Sequence, residues 1–161
     1  MIRIGQGIDV HPFQEDRPLV LGGVRIADRR GLAGHSDADA VLHALTDALL
    51  GSVAAGDIGA HFPSSDPKWR DADSRLFVAG ALDAVARAGF RVVNVDVTIV
   101  AETPKLAQQM EPIRSSIAAM LGIESGRVGV KATTTDHLGF VGRNEGIAAL
   151  AVVLVESLDR S

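Results

Sequence analysis

Residues 36–52 read SDADAVLHALTDALLGS, and this stretch decides the fold class of the chain. Its larger apolar side chains recur at the spacing of one helix face: Val41, Leu42, Leu45, Leu49 and Leu50. Ser36 precedes them as a candidate N-cap, and the acidic Asp39 suits the first turn. The sequence therefore predicts a helix over residues 36–52 that carries His43.

The segments around this helix predict further strands and helices. Strands rich in Val, Ile and Gly are predicted over residues 2–13, 19–21, 24–26, 91–101, 127–133 and 146–155, with Gly22-Gly23 as a hairpin turn. One more helix is predicted over residues 73–88, ended by Gly89. Another is predicted to start at Thr103-Pro104, with a kink or break at Pro112. Residues 56–68 are rich in Gly, Pro, Asp and Ser, which predicts a loop.

This order of elements predicts an α/β protein of the α+β sandwich type, a mixed sheet with helices layered on one face. Residues 146–155 are apolar at nearly every position. We expect a partner subunit to cover the second face of that strand. The 161 residues contain no linker and no internal repeat, so we expect a single domain over residues 1–161.

Composition excludes several classes of function. The net charge of −4, with acids and bases interspersed, gives no basic surface for nucleic acid and no polybasic membrane anchor. No apolar run approaches the roughly 20 residues of a membrane helix, and the N-terminus lacks the pattern of a signal peptide. These features favour a cytoplasmic protein. Because cysteine is absent, a zinc site has to use histidines and carboxylates.

Three such residues form a candidate metal site. Asp9 and His11 are two positions apart on a predicted strand, so their side chains share a face, and His43 lies on the strongest helix. Three protein ligands with a fourth position left open are typical of catalytic zinc. The spacing alone also fits surface or capping residues. Asp39 or Asp47, four residues either side of His43, is a candidate partner for its imidazole, and Asp39 equally suits the helix start.

Other short motifs suit phosphate and nucleotide binding. Gly34-His35-Ser36 precedes a helix N-terminus, where free N–H groups attract anions. The carboxylate in Gly56-Asp57-Ile58-Gly59 suits two ribose hydroxyls. Three hydroxyls in Thr133-Thr134-Thr135 suit phosphate oxygens, and Asp136 suits a hard cation such as Mg²⁺. Each motif alone fits an ordinary turn or loop equally well.

Together, these residues resemble the 2-C-methyl-D-erythritol 2,4-cyclodiphosphate synthases of the non-mevalonate isoprenoid pathway. The resemblance rests on Gly7-Ile8-Asp9-Val10-His11, Gly34 to Asp39 with His43, Gly56 to Pro63, and Lys131 to Gly146. These blocks span nearly the whole chain in the order of the family.

The resemblance implies a lyase that expels CMP from a cytidine diphosphate ester, 4-diphosphocytidyl-2-C-methyl-D-erythritol 2-phosphate. It implies a homotrimer with sites between subunits, zinc on Asp9, His11 and His43, and Mg²⁺ or Mn²⁺ as the second cation, with Asp136 as its candidate ligand. His35 and Thr134 would stabilise the transition state. Phe140, Arg143 and Glu145 match a region where members enclose an axial cavity for an isoprenoid diphosphate.

The resemblance also implies a large set of substrate-binding residues. On the zinc side these are Asp9, Val10, His11, His35, Ser36, Asp57, Ile58, Gly59, Phe62, Pro63, Ser64, Ser65 and Asp66. On the cytidine and diphosphate side, contributed by the adjacent subunit, they are Ala101, Glu102, Thr103, Pro104, Lys105, Leu106, Ala107, Thr133, Thr134, Thr135 and Asp136. Phe140 and Arg143 match further substrate-binding positions.

The chain departs from the usual family pattern at two places. Ser64 and Ser65 stand where the family usually has Asp and Thr, which removes a carboxylate contact. Asp136 stands where the family usually has the longer Glu. Two other functions also fit the residues: a zinc-dependent nucleotide phosphohydrolase and a trimeric nucleotide-binding regulator without catalysis.

Overall fold

The computed structural model describes residues 1–158 as a mixed five-stranded sheet with helices packed on one face. The strands are β1 (Ile2–Glu15), β2 (Leu19–Leu21), β3 (Val24–Ile26), β4 (Arg30–Leu32), β5 (Phe90–Val100), β6 (Val128–Thr133) and β7 (Gly146–Ser157). The helices are α1 (Ala40–Ser52), α2 (Ile58–His61), α3 (Arg75–Arg87), α4 (Met110–Leu121) and α5 (Gly139–Gly142). The predicted mixed α/β class is confirmed.

The main sheet has the order β4-β1-β7-β5-β6. Its neighbours are antiparallel except for the β5–β6 pair, which is parallel. The predicted hairpin is confirmed as the separate two-stranded sheet of β2 and β3. Its turn residues Gly22 and Gly23 both have positive φ, at 61° and 74°, the backbone that a two-residue turn of this kind requires.

Burial alternates along the central strands because only one face of the sheet is covered. On β7 the residues Ile147, Ala149, Ala151, Val153 and Val155 are all buried in the core. On the opposite face of β1 the apolar side chains of Ile2, Ile4, Ile8 and Val10 are exposed. None of the helices in residues 1–158 has the length and apolar character that crossing a membrane requires.

Helix α1 packs on β1 with unusually little separation. A Cβ atom added to Gly5 would lie 1.8 Å from the backbone oxygen of Ala48, and one added to Gly7 would lie 2.0 Å from that of Ala44. Only glycine permits this approach. The glycine pair therefore brings the helix that carries His43 against the strand that carries Asp9 and His11.

Two details of the predicted helix over residues 36–52 are corrected. The helix begins at Ala40, and Asp39, not Ser36, is its N-cap. The Asp39 carboxylate accepts from Leu42 N and also from the backbone N–H groups of Gly22 and Gly23. The buried carboxylate thus joins the hairpin turn to the start of the helix, while the Ser36 hydroxyl lies against His43.

Three other predictions differ from the structure. Residues 56–68 are not loop throughout, because α2 and part of a 3₁₀ turn at Pro67–Trp69 lie within them.

No helix starts at Thr103-Pro104, which is a cis peptide, and α4 begins only at Met110. Thr103 is held by Arg30 and Asn144, so tertiary contacts there override the local pattern. Pro112 falls in the first turn of α4, where proline is tolerated, so the predicted kink is wrong.

Replacing Gly7 with alanine should destabilise the protein. The new methyl group would clash with the backbone of α1, which cannot rotate away as a side chain can, so α1 has to move off β1. We expect the free energy of unfolding to fall by about 1–3 kcal/mol or more. Chemical denaturation measures the change. Gly126→Ala is the control, since its Cβ would meet nothing within 4 Å. Equal stability of the two variants would contradict the close packing.

Candidate metal centre

Asp9, His11 and His43 converge on one point, as the sequence predicted. One ligand atom from each lies within 4.8 Å of the others. Asp9 Oδ2 is 2.8 Å from His11 Nε2 and 3.2 Å from His43 Nδ1, and the two nitrogens are 3.1 Å apart. Ligand atoms about 2.0–2.1 Å from a tetrahedral zinc ion are about 3.3 Å from one another. The observed triangle is therefore close to the size of three zinc ligands.

The carboxylate shows why a cation fits here. Asp9 Oδ2 is buried and, despite its near neighbours, has no hydrogen bond of acceptable geometry. Burial by itself raises the pKa of Asp9, but the nearby His11 and His43 lower it by more, so the pKa lies well below its usual range. An ionised carboxylate oxygen between two imidazole nitrogens is a donor set suited to a divalent cation.

Hydrogen bonds on the far side of each imidazole direct the free nitrogen inward. His11 Nδ1 donates to the backbone oxygen of Ala33 at 2.6 Å, which leaves the Nε2 lone pair for a metal. His43 Nε2 lies 2.9 Å from Ser74 Oγ and 3.0 Å from Ser36 Oγ. The Nε2–H group donates a hydrogen bond to Ser74 Oγ, which leaves the lone pair of Nδ1 free for a metal.

A buried serine and an aspartate complete this arrangement. The Ser74 hydroxyl donates to Asp37, so its oxygen is available to accept from His43. Asp37 also accepts from the Ser74 backbone N–H at 3.0 Å. The sequence analysis missed this role of Ser74 and Asp37. Ser74 is 31 residues from His43, and no spacing rule connects a residue at the start of α3 with an imidazole on α1.

The metal triad lies in a cavity of about 310 Å³. The cavity is lined by Asp9, His11, His35, Ser36, His43, Ile58, Gly59, Phe62, Ser64, Trp69 and Phe77. Phe62, Trp69 and Phe77 form an aromatic wall, with ring centroids 4.9–5.6 Å apart. The close packing of Phe62 on α3 depends on Gly80, whose missing Cβ leaves room for the ring. The cavity thus has a charged end and an apolar end.

A second cavity, of about 490 Å³, is lined by part of the group predicted to bind cytidine and diphosphate. It is lined by Ala101, Glu102, Pro104, Lys105, Leu106, Ala107, Met110, Val130, Lys131, Ala132, Thr133 and Thr134. Glu102 accepts from the backbone N–H groups of His137 and Thr135 and thereby holds the Thr133 to Asp136 turn. The His137 N–H is the largest influence that holds the pKa of Glu102 below its usual value.

Residues 2–156 match the model of the YgbB family. This chain belongs to the YgbB family. A 2-C-methyl-D-erythritol 2,4-cyclodiphosphate synthase of Geobacillus kaustophilus is 55% identical over 156 residues, which cover 97% of this chain and 99% of that protein.

Solved structures agree with this YgbB family assignment. A CDP-bound 2C-methyl-D-erythritol-2,4-cyclodiphosphate synthase is 36% identical, with a TM-score of 0.88 over 96% of this chain and 100% of that one. The CDP complex of IspF from Plasmodium falciparum is 31% identical, with a TM-score of 0.86 over 98% of this chain and 97% of that one.

Several predicted site residues lie outside both cavities of this YgbB family member. Val10 is on the face of β1 opposite Asp9 and His11. Asp57 and Asp66 accept from backbone N–H groups as the N-caps of α2 and of the following 3₁₀ turn. Pro63, Ser65, Thr103, Thr135, Asp136, Phe140 and Arg143 also line neither cavity. Arg143 forms an ion pair with Glu145 at 2.8 Å.

Substituting Ser74 with alanine should weaken zinc binding. Without the hydroxyl, His43 loses the partner that fixes its ring, and we expect the zinc dissociation constant to rise about 10–100-fold. Competition with a chelator of known affinity measures the change. Ser115→Ala on the exposed face of α4 is the control. An unchanged dissociation constant for Ser74→Ala would show that the serine does not orient His43.

Proposed function

We propose that the chain converts 4-diphosphocytidyl-2-C-methyl-D-erythritol 2-phosphate to 2-C-methyl-D-erythritol 2,4-cyclodiphosphate and CMP, a step of non-mevalonate isoprenoid biosynthesis. The observation that carries the proposal is the convergence of Asp9, His11 and His43 in a chain whose family match spans residues 2–156. The names of full-length relatives and the CDP in two solved homologues support the cytidine diphosphate ester as substrate.

The reaction is an intramolecular phosphoryl transfer. An oxygen of the 2-phosphate forms a bond to the β-phosphorus of the diphosphate. The bond between that phosphorus and the bridging oxygen breaks, and the oxygen leaves with CMP. No water is consumed and no protein nucleophile is required. The main contribution of the protein is to align two anionic groups, and alignment can lower such a barrier by about 7–11 kcal/mol.

Asp9, His11 and His43 are proposed to hold zinc through Oδ2, Nε2 and Nδ1. Zinc bound there supplies Lewis-acid charge to a phosphoryl oxygen. Mg²⁺ or Mn²⁺ is proposed as the second cation, with Asp136 as ligand. Among residues 1–158, Asp136 joins no cluster of metal-binding groups, so water and phosphate oxygens would complete the shell of such an ion.

Side chains of the two cavities are proposed to bind the other parts of the substrate. His35 and Ser36, at the charged end of the zinc cavity, are proposed to bind phosphate, with His35 as a donor to the charge that develops in the transition state. The aromatic wall of Phe62, Trp69 and Phe77 excludes water and suits the methyl-bearing carbon skeleton. In the second cavity, residues 101–107 are proposed to bind cytidine, and Thr134 to donate to the diphosphate.

A homotrimer with sites between subunits is proposed from two features. In one chain the zinc residues and Thr134 line different cavities, which supports a partner subunit as the source of the second half of the site. The uncovered sheet face also carries a contiguous apolar surface, with Ile2, Ile4 and Ile8 each at least 60% exposed. Phe140 and the Arg143–Glu145 pair are proposed to lie near an axial cavity that accepts an isoprenoid diphosphate.

Residues 1–161 are proposed to act as one domain. A cytoplasmic location stays a prediction from the sequence. The alternative of a zinc-dependent phosphohydrolase is not favoured by the relatives, none of which is named as a hydrolase among those described above.

Phosphorus NMR of the products tests the proposed reaction. With zinc and Mg²⁺ present, the cytidylyl substrate should give CMP and a cyclic diphosphate. In water enriched in ¹⁸O, neither product should gain solvent oxygen. Incorporation of ¹⁸O into a released phosphate would show hydrolysis, and binding without turnover would indicate a regulator.

Mixing two inactive variants tests whether sites are shared between subunits. His43→Ala removes a zinc ligand, and Thr134→Val removes the hydroxyl on the other side, so each variant alone should lose most turnover. In trimers refolded from an equal mixture, about one quarter of the sites should combine an intact His43 with an intact Thr134. Activity near that fraction of wild type is the expected result. A mixture as inactive as its components would contradict shared sites.

A further inference from the structure

Arg17, just after β1, holds the segment of residues 33–36 from one side. Its Nη1 donates to the backbone oxygen of Gly34 at 2.9 Å, and its Nη2 donates to that of Ser36. His35, the proposed phosphate donor, is the residue between these two carbonyl groups. None of the described acidic residues forms an ion pair with Arg17, so its guanidinium is directed to the backbone.

All four carbonyl groups of the 33–36 segment have protein donors. Besides the two bonds from Arg17, Ala33 O accepts from His11 Nδ1 at 2.6 Å, and His35 O accepts from Asp71 N at 2.8 Å. In a trans peptide the C=O group and the next N–H group point in opposite directions. Fixing these carbonyl groups therefore also fixes the N–H groups that follow them.

The N–H groups of Gly34, His35 and Ser36 have no acceptor among the residues that the structure describes. The side chains of His35 and Ser36 line the zinc cavity. An unpaired backbone N–H group beside such a cavity can donate a hydrogen bond to an anion. Arg17 holds the carbonyl group of Gly34 and thereby sets the direction of the His35 N–H group. The carbonyl groups of Ala33 and His35, held by His11 and Asp71, set the directions of the Gly34 and Ser36 N–H groups.

The position of Arg17 is itself determined by close packing. A Cβ on Gly31 of β4 would lie 2.5 Å from Arg17 O and 2.3 Å from Pro18 O, so the backbone here lies directly on β4. On the other side of the segment, a Cβ on Gly34 would lie 3.0 Å from His11 Cε1. The segment is confined between the arginine and a zinc-binding imidazole.

We propose that Arg17 is a positioning residue, which orients the Gly34–His35 peptide group so that the N–H group of His35 meets a phosphate of the substrate. This inference rests on the proposed function, because it assumes a phosphate in the zinc cavity. Lysine cannot replace the arginine fully, since one ammonium group does not match the two-pronged geometry of a guanidinium.

Arg17→Lys tests the proposal through three measurements on the zinc-loaded protein. We expect kcat to fall about 10–100-fold, as for the loss of one hydrogen bond from a charged donor. CDP affinity, followed by the fluorescence of Trp69, the sole tryptophan, should fall in the same variant. Zinc affinity should stay within about twofold of wild type, because His11 and His43 keep their partners. Arg91→Lys, in an ion pair with Glu156, is the control.

The pattern of losses distinguishes positioning from a purely structural role. If Arg17 only stabilises the fold, Arg17→Lys should lower the melting temperature while folded protein keeps its kcat and CDP affinity, and the proposal is then wrong. For Arg17→Ala, millimolar guanidinium should restore part of kcat if the cation itself is required. Absence of rescue, together with wild-type kinetics for Arg17→Lys, also overturns it.

The same experiment separates this inference from the proposed function. If wild type forms no cyclic product, the proposed function fails. The Arg17 inference is then decided by CDP binding alone, and it survives only if Arg17→Lys weakens binding while Arg91→Lys does not.

Discussion

The contact of α1 with β1 through Gly5 and Gly7 is the constraint on which the rest of the site depends. Without side chains at these positions, the backbone of the helix reaches the strand, and His43 comes within 3.2 Å of Asp9 Oδ2. The metal triad is thus a consequence of helix–sheet packing. Any residue larger than glycine at these positions would clash with the helix backbone and move His43 away from Asp9.

Hydrogen-bond partners around the triad orient its two imidazole rings. The Ala33 carbonyl and the Ser74 hydroxyl select which nitrogen of each imidazole faces the cation, and Asp37 in turn fixes the serine. The 33–36 segment connects these parts, since it contacts His11, His43 and Arg17 at once. The candidate metal site and the 33–36 segment therefore belong to one hydrogen-bonded framework.

The sequence predicted what depends on local pattern. The period-two placement of Asp9 and His11, the helical spacing around His43 and the Gly22-Gly23 turn all gave correct elements. The predicted grouping of Asp9, His11 and His43 is also found in the structure. Local pattern failed where tertiary contacts decide: the hydroxyl of Ser36 turns to His43 while Asp39 caps the helix, and the contacts of Thr103 keep its segment out of a helix. The partners Ser74 and Arg17 are remote along the chain and carry no signature of their own.

X-ray absorption at the zinc edge tests the central claim most directly, because it counts the ligands of the bound ion. With one equivalent of zinc, we expect two imidazole nitrogens and one carboxylate oxygen at about 2.0–2.1 Å, with a light-atom ligand in the open fourth position. In His43→Ala the imidazole count should fall to one. A wild-type spectrum with fewer than two imidazoles, or one unchanged by His43→Ala, would contradict the assignment of Asp9, His11 and His43 as the metal site.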